Sequence, residues 1–236
     1  MHPSSRWGIR VQAGDLQIVY EDNHLLAVNK PAGLPTMGVA PGVPSVVVLA
    51  KQYIKRRYQK PGNVYLGIMS RLDAASSGIV LLARTSKAAA RLTAQFRARH
   101  VEKTYWAIVS GRIEPEADEW TDWVVKDEAR QRMVIARAAD PAAKEARLRY
   151  RRLRTIGRGT LVEIDLLTGR KHQIRLQFAQ RGFPLWGERK YGQGMPFSNG
   201  IALHARRLVV RHPVGGAPLE LIARLGKAWH DLGIRD

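Results

Sequence analysis

The apolar residues of this 236-residue chain are gathered into short runs, none long enough to cross a membrane. Leu16–Tyr20, Leu25–Asn29, Gly78–Ala83, Lys103–Val109, Leu161–Leu167, Ile201–Val210 and Leu219–Ala223 each read as a β-strand. In one of them Val162, Ile164 and Leu166 alternate with Glu163 and Asp165, the period of two that a strand with one wet face requires. Gly157-Arg158-Gly159 just before it reads as a hairpin turn. Strands dominate, and three segments break the pattern as helices. The first opens at Ser45 as N-cap and lines Val46, Leu49, Ala50, Tyr53 and Ile54 along one stripe. The second begins at Ser86 and places Ala88, Leu92 and Phe96 on one face, with Arg91, Arg97 and Arg99 elsewhere around it. The third runs from about Arg170 to Arg181, with Ile174 and Phe178 on one face and Gly182 just past its end.

Charge narrows the partner. Lys and Arg number 39 against 20 acidic residues, a formal net charge of +19, so a polyanion is expected, nucleic acid before membrane lipid. Seven of the twenty acids fall between Glu114 and Glu128, which leaves the remaining surface more basic still. No stretch reads as a basic amphipathic membrane helix. Without cysteine there is no disulfide, no thiolate nucleophile and no Cys-ligated zinc, and a cytoplasmic protein is expected. Met1 to Asp15 lacks the apolar core and cleavage site of a signal peptide.

No internal repeat or heptad series divides the chain. Residues 1–14 are expected to be a flexible tail and residues 15–236 a single catalytic domain. Pro31–Pro44 and Gly192–Gly200 are candidate mobile loops. There is no P-loop, and Gly192-Gln-Gly194 lacks the strand and helix that a dinucleotide fingerprint needs. His172, His204 and His212 have no metal-ligand spacing, and no histidine falls into a defensible triad.

One carboxylate stands out. Asp73 lies between two apolar segments and is followed by Ala74, Ala75, Ser76, Ser77 and Gly78, small neighbours that leave room for a ligand. On local sequence alone an Asx-type turn explains it equally well. Arg71 precedes it by two residues, Lys30 ends an apolar strand, and Thr168-Gly169-Arg170-Lys171-His172-Gln173-Ile174-Arg175 opens the third helix. In a helix Lys171 and His172 would share a face with Arg175.

Five segments in this order resemble the RluA family of pseudouridine synthases: Val28–Gly33 (VNKPAG), Arg71–Gly78 (RLDAASSG), Glu102–Tyr105 (EKTY), Thr168–Arg175 (TGRKHQIR) and Ala202–Leu208 (ALHARRL). The resemblance spans about Ile18 to Leu225. It implies that Asp73 is the catalytic carboxylate, Tyr105 the active-site base and Arg175 the partner of the catalytic Asp. It further implies that Lys30 lines the pocket and Arg71 fills the gap left by a flipped nucleotide. Arg170, Lys171 and His172 are expected to meet RNA. Ser70 stands where the family usually has His, Ser76 and Lys171 where it has Thr, and Glu188 where it has Asp. The family's frequent N-terminal S4 domain is not expected before Ile18.

The fold implied is α+β, with a mixed, mainly antiparallel sheet and flanking helices. The activity implied is isomerisation of uridine to pseudouridine in structured ribosomal or transfer RNA, by a monomer needing no metal, nucleotide or other cofactor. Asp73, ionised at neutral pH, would attack the ribose or stabilise its developing charge while uracil turns and rejoins through C5. The rival from another class is a non-catalytic RNA-binding or RNA-assembly protein in which Asp73 only shapes a turn.

Overall fold

The computed structural model describes residues 16–236, so the expected tail at residues 1–14 lies outside the described residues. Along the chain run β1 (Gln17–Glu21), β2 (Leu25–Lys30), α1 (Val46–Arg57), β3 (Gly67–Ile68), β4 (Ser77–Ala83), α2 (Ser86–Arg97) and β5 (Glu102–Ser110). After them come β6 (Ala117–Asp127), β7 (Arg132–Ala136), β8 (Lys144–Ile156), β9 (Gly159–Leu166), α3 (Gln173–Gln180), β10 (Leu203–Arg211), β11 (Pro218–Ile222) and the short α4 (Lys227–His230). The architecture is α+β and mainly antiparallel, as the family resemblance implies. Two compact units divide it: the described residues up to Val101 together with Ala205–Asp236, and Glu102–His204.

In the first unit β2 pairs antiparallel with both β1 and β4, and β10 pairs antiparallel with β11. Strands β2 and β4 are apolar at almost every position because both faces are covered. Leu26, Val28, Val80 and Leu82 pack on the side of Val46, Leu49, Ala50 and Ile54 of α1. Leu25, Ala27, Ile79 and Leu81 face Ala88 and Leu92 of α2 on the other side. Ser45 caps α1 by accepting from the Val48 N–H at 3.3 Å, and Thr85 caps α2 by accepting from Ala88 at 3.1 Å. Gly78 is required in β4: with φ of +110° it approaches β10 so closely that a Cβ would lie 2.3 Å from the Ala205 carbonyl oxygen.

The second unit is an antiparallel sheet in the order β5-β9-β8-β6-β7. Gly157-Arg158 forms the two-residue turn between β8 and β9 that the sequence predicts. Strands β6 to β8 are not evident from apolar runs, because their outward faces are charged. In β8, Ala146, Leu148 and Tyr150 are buried while Arg147, Arg149 and Arg151 alternate with them on the wetter face. Glu119 of β6 lies opposite Arg149 and pairs with it at 2.6 Å, and Glu163 of β9 lies opposite Arg151 and pairs with it at 2.7 Å. The acidic cluster between Glu114 and Glu128 therefore balances part of this arginine ladder.

Helix α3 lies on the other face. Phe178 packs against Trp120 and Tyr150 at ring separations of 4.7 and 5.8 Å, and Leu176 joins Val124 and Ala146. Arg181 ends the helix, and Gly182 adopts φ of +81°. The N–H groups of Gly182 and Phe183 return to the carbonyls of Ala179 and Phe178, the paired bonds of a Schellman stop.

Candidate active site

In the first unit the Asp73 turn rests on a cage built by residues 30–36. Lys30, at the end of β2, is fully buried. Its Nζ donates to the carbonyls of Pro31 at 3.0 Å, Leu34 at 2.9 Å and Ala74 at 3.1 Å, and also to that of Ser76. An ammonium has three N–H groups and no acceptor, so a pocket of carbonyls is its natural complement. Burial pushes the Lys30 ammonium down to about 7, against the opposing negative charge of Asp73. Lys30 thus sits beneath the Asp73 turn and not at a surface.

Two further bonds fasten the same turn. Gly33, at φ of +89°, donates its N–H to the Ala74 carbonyl at 2.7 Å. Thr36 Oγ1 donates to the Leu72 carbonyl at 2.9 Å and accepts from the Leu72 N–H at 3.1 Å, closing both backbone groups of the residue before Asp73. The start of the Pro31–Pro44 loop is accordingly tied down.

The turn is closed by the Ser76 N–H donating to the main-chain carbonyl of Asp73 at 3.1 Å. Asp73 is half-buried, and Arg71 beside it is exposed. Ser70, in the position of the family's His, uses Oγ to accept from the Leu81 N–H at 2.9 Å and so ties this segment to β4.

In the second unit the Thr168–Arg175 segment differs from the helix expected over it. His172 has φ of +55°, left-handed backbone that no α-helix contains, so α3 begins only at Gln173. Arg170, Lys171 and His172 lie in the turn before it, and helical spacing from Arg175 does not apply to Lys171 or His172. Buried Thr168 and Gln173 hold this turn. Thr168 Oγ1 donates to Gln173 Oε1 at 2.8 Å, and the same Oε1 accepts from the Arg170 N–H at 3.0 Å. Gln173 Nε2 donates to the Arg147 carbonyl at 3.0 Å, and the Arg147 N–H donates to Thr168 Oγ1 at 2.8 Å, anchoring the turn on β8. Arg170 Nε donates to the Glu145 carbonyl at 2.8 Å, while Lys171 is exposed.

Arg175 is buried and meets Glu188 at two points, Nε to Oε2 at 2.7 Å and Nη2 to Oε1 at 2.9 Å. Burial works to raise the Glu188 carboxyl, but the Arg175 hydrogen bond and charge, with the N–H groups of Lys190 and Tyr191, hold it below the usual carboxylate value. Tyr105 is half-buried on β5, where it lies opposite Ile164 of β9.

These two constellations can be set beside known proteins. The RNA pseudouridylate synthase family model matches residues 24–180. The chain is 32% identical to ribosomal large subunit pseudouridine synthase D of Zymomonas mobilis, over 89% of this chain and 69% of the relative. It is 33% identical to the dual-specificity RNA pseudouridine synthase RluA of Haemophilus influenzae, over 89% of this chain and 93% of the relative. The chain belongs to the RNA pseudouridylate synthase family. Among solved structures, human RNA pseudouridylate synthase domain containing 4 superposes with a TM-score of 0.75 at 25% identity, covering 93% of this chain and 94% of that one. As a member of this family the chain is an isomerase of RNA uridines. The matched span contains the Lys30 cage, Asp73, Tyr105 and the Arg175 turn, and it stops short of Glu188.

Proposed function

We propose that this chain converts uridine to pseudouridine in ribosomal or transfer RNA, with Asp73 as its essential carboxylate and both units acting as one catalytic domain. The observation that supports this most is the cage under Asp73: Lys30, Gly33 and Thr36 fix the backbone on both sides of one acidic residue. A turn needing only to reverse the chain has no use for a buried ammonium.

In this reading the target uridine leaves its stack, at a cost of roughly a few kcal/mol, and exposed Arg71 offsets part of that cost by filling the gap. The Asp73 carboxylate attacks the ribose, or stabilises positive charge there, as the bond from C1′ to N1 breaks. Uracil turns, C5 bonds to C1′ as any bond from the carboxylate to the ribose breaks, the proton on C5 passes through the Tyr105 hydroxyl to solvent, and N1 regains a proton from solvent. Atoms and electrons balance with no cofactor consumed. Arg175 serves the reaction, and Arg170, Lys171 and His172 meet the RNA. A monomer suffices for this chemistry.

The test is Asp73→Asn on RNA from cells lacking this chain. Pseudouridine formation is expected to fall on the order of 10⁴-fold or more, a loss typical of a group central to the chemistry. RNA affinity should stay within about threefold of wild type, since phosphate contacts dominate it. An active Asp73→Asn protein would refute the assignment. If the wild-type chain forms no pseudouridine either, the non-catalytic RNA-binding reading takes its place.

A further inference from the structure

Glu188 has no role in the reaction as proposed, yet no other carboxylate among the described residues has a side chain so closed off. Its side chain is 0% exposed and that of Arg175 is 10% exposed. Besides its two bonds from Arg175, Oε1 accepts main-chain N–H bonds from Arg189 at 3.0 Å, Lys190 at 2.7 Å and Tyr191 at 3.3 Å. The carboxylate is thus fixed by its own loop before it touches the guanidinium. Gly187 fixes the loop in turn: its φ is +80°, and a Cβ there would lie 2.2 Å from the Gly200 carbonyl oxygen.

The same loop reaches the start of α3 a second time. Tyr191 Oη lies 2.6 Å from His172 Nδ1 and accepts from the Met133 N–H at 3.2 Å. The Tyr191 ring also stands 5.5 Å from the Arg175 guanidinium carbon. One short loop therefore holds both the left-handed residue that starts the helix and the arginine one turn along it.

Stability alone does not account for this. A buried ion pair roughly breaks even against well-packed apolar side chains, because desolvating two charges consumes most of the attraction between them. What a two-point grip adds is direction. A guanidinium held at one nitrogen can swivel, whereas one held at Nε and Nη2 has its plane fixed, and with it the aim of the three N–H groups outside the pair, out of five in all.

We propose that Glu188 is a positioning residue, which sets the plane of Arg175 so that the guanidinium meets the reacting centre in one orientation. The inference rests on the reading that Arg175 serves the reaction. It predicts that charge at position 188 matters more than volume, because the carboxylate aims a cation.

The experiment compares Glu188→Gln, Glu188→Asp, Arg175→Lys and the Arg175→Lys/Glu188→Gln double variant of the full chain. Single-turnover pseudouridine formation is followed on RNA from cells lacking this chain, with melting temperature as a check on folding. Glu188→Gln keeps shape and loses charge, and its saturating rate is expected to fall roughly 10²-fold, as misaimed groups do, with half-saturating concentration within about twofold of wild type. Glu188→Asp keeps charge and loses volume, and should recover at least about tenfold of that loss. In the Arg175→Lys background Glu188→Gln should cost less than about threefold more, because residues acting through one another are not additive. A packing role predicts the reverse order, with Gln near wild type and Asp worse, and that result, or full additivity, overturns the proposal. Should Glu188→Gln not fold, Glu188→Asp decides: a folded Asp variant below a hundredth of the wild-type rate overturns it, and one above a tenth supports it. A wild-type chain without activity overturns both readings, whereas an active wild type with an unimpaired Glu188→Gln overturns this one alone.

Discussion

The Asp73 turn and the Arg175 turn are held differently. Around Asp73 the fastening is main chain: carbonyls of Pro31, Leu34, Ala74 and Ser76 gather on one ammonium, and Thr36 closes both backbone groups of Leu72. Around Arg175 side chains also grip each other, in an ion pair with Glu188 and a hydroxyl on an imidazole, besides the main-chain bonds that anchor the turn on β8. A main-chain cage fixes where a residue sits. An ion pair fixes where a charge points. The first arrangement suits a residue whose place in the chain matters, and the second suits a cation that needs one orientation.

If this contrast is right, Lys30→Met should do more damage to the fold than any other single change in either turn. Four carbonyls would lose their shared donor in a site closed to water, at a cost of about 3 kcal/mol or more in unfolding free energy. Denaturant unfolding of the purified variant measures it. A loss under about 1 kcal/mol would show the cage to be incidental.

Acid should separate the two turns, with a smaller effect. The folded-state pKa of Glu188 lies below its ordinary value of 4.5, so its contribution is fully present above 4.5 and is lost as pH falls through the lower folded value. Wild type should therefore lose its stability advantage over Glu188→Gln only below pH 4.5. Lys30 is protonated throughout that range, and the Asp73 cage adds nothing to the difference. Urea titrations of both proteins at neutral pH and at several acidic values test it, and an advantage that persists unchanged in strong acid would deny that the ion pair contributes.

Smaller again is Thr36→Val, which keeps the shape and removes the hydroxyl that serves Leu72. About 1 kcal/mol of stability should go, the ordinary worth of such bonds, together with a clear fall in pseudouridine formation, since the backbone beside Asp73 is released. Stability lost without any effect on rate would mean that this fastening serves the fold only.

The sequence discloses one turn more readily than the other for the same reason. Lys30, Gly33 and Gly78 belong to short contiguous segments between strands whose apolar character is plain, since β2 and β4 are covered on both faces. The second unit hides its organisation. Its strands β6 and β8 carry Glu119, Arg147, Arg149 and Arg151 on an outward face, and cross-strand ion pairs that make sense of those charges join residues 12 to 30 apart, which periodicity along the chain does not reveal. The early start expected for α3 fails on one left-handed residue, His172, whose conformation is set by a turn anchored on β8. Thr168 and Gln173 five residues later were the available signal, a buried hydroxyl and amide satisfying each other. Glu188 drew notice only as a departure from the family pattern, and its partner stands 13 residues away.

The smallest structural effect belongs to Arg71, and it sharpens the contrast from outside both turns. Its side chain is exposed, so Arg71→Ala should change unfolding free energy by less than about 0.5 kcal/mol, as surface substitutions away from special features do. RNA processing should respond quite differently. A cation that fills the gap behind an extruded base stabilises the flipped state and not the free protein, so its loss should lower the single-turnover rate by roughly tenfold while the melting temperature stays put. The salt dependence of RNA binding should weaken by no more than about one phosphate contact. An Arg71→Ala protein that modifies RNA at the wild-type rate would leave the flipped nucleotide's place to be filled by another side chain, and one that melts early would mean that this arginine belongs to the cage beneath Asp73.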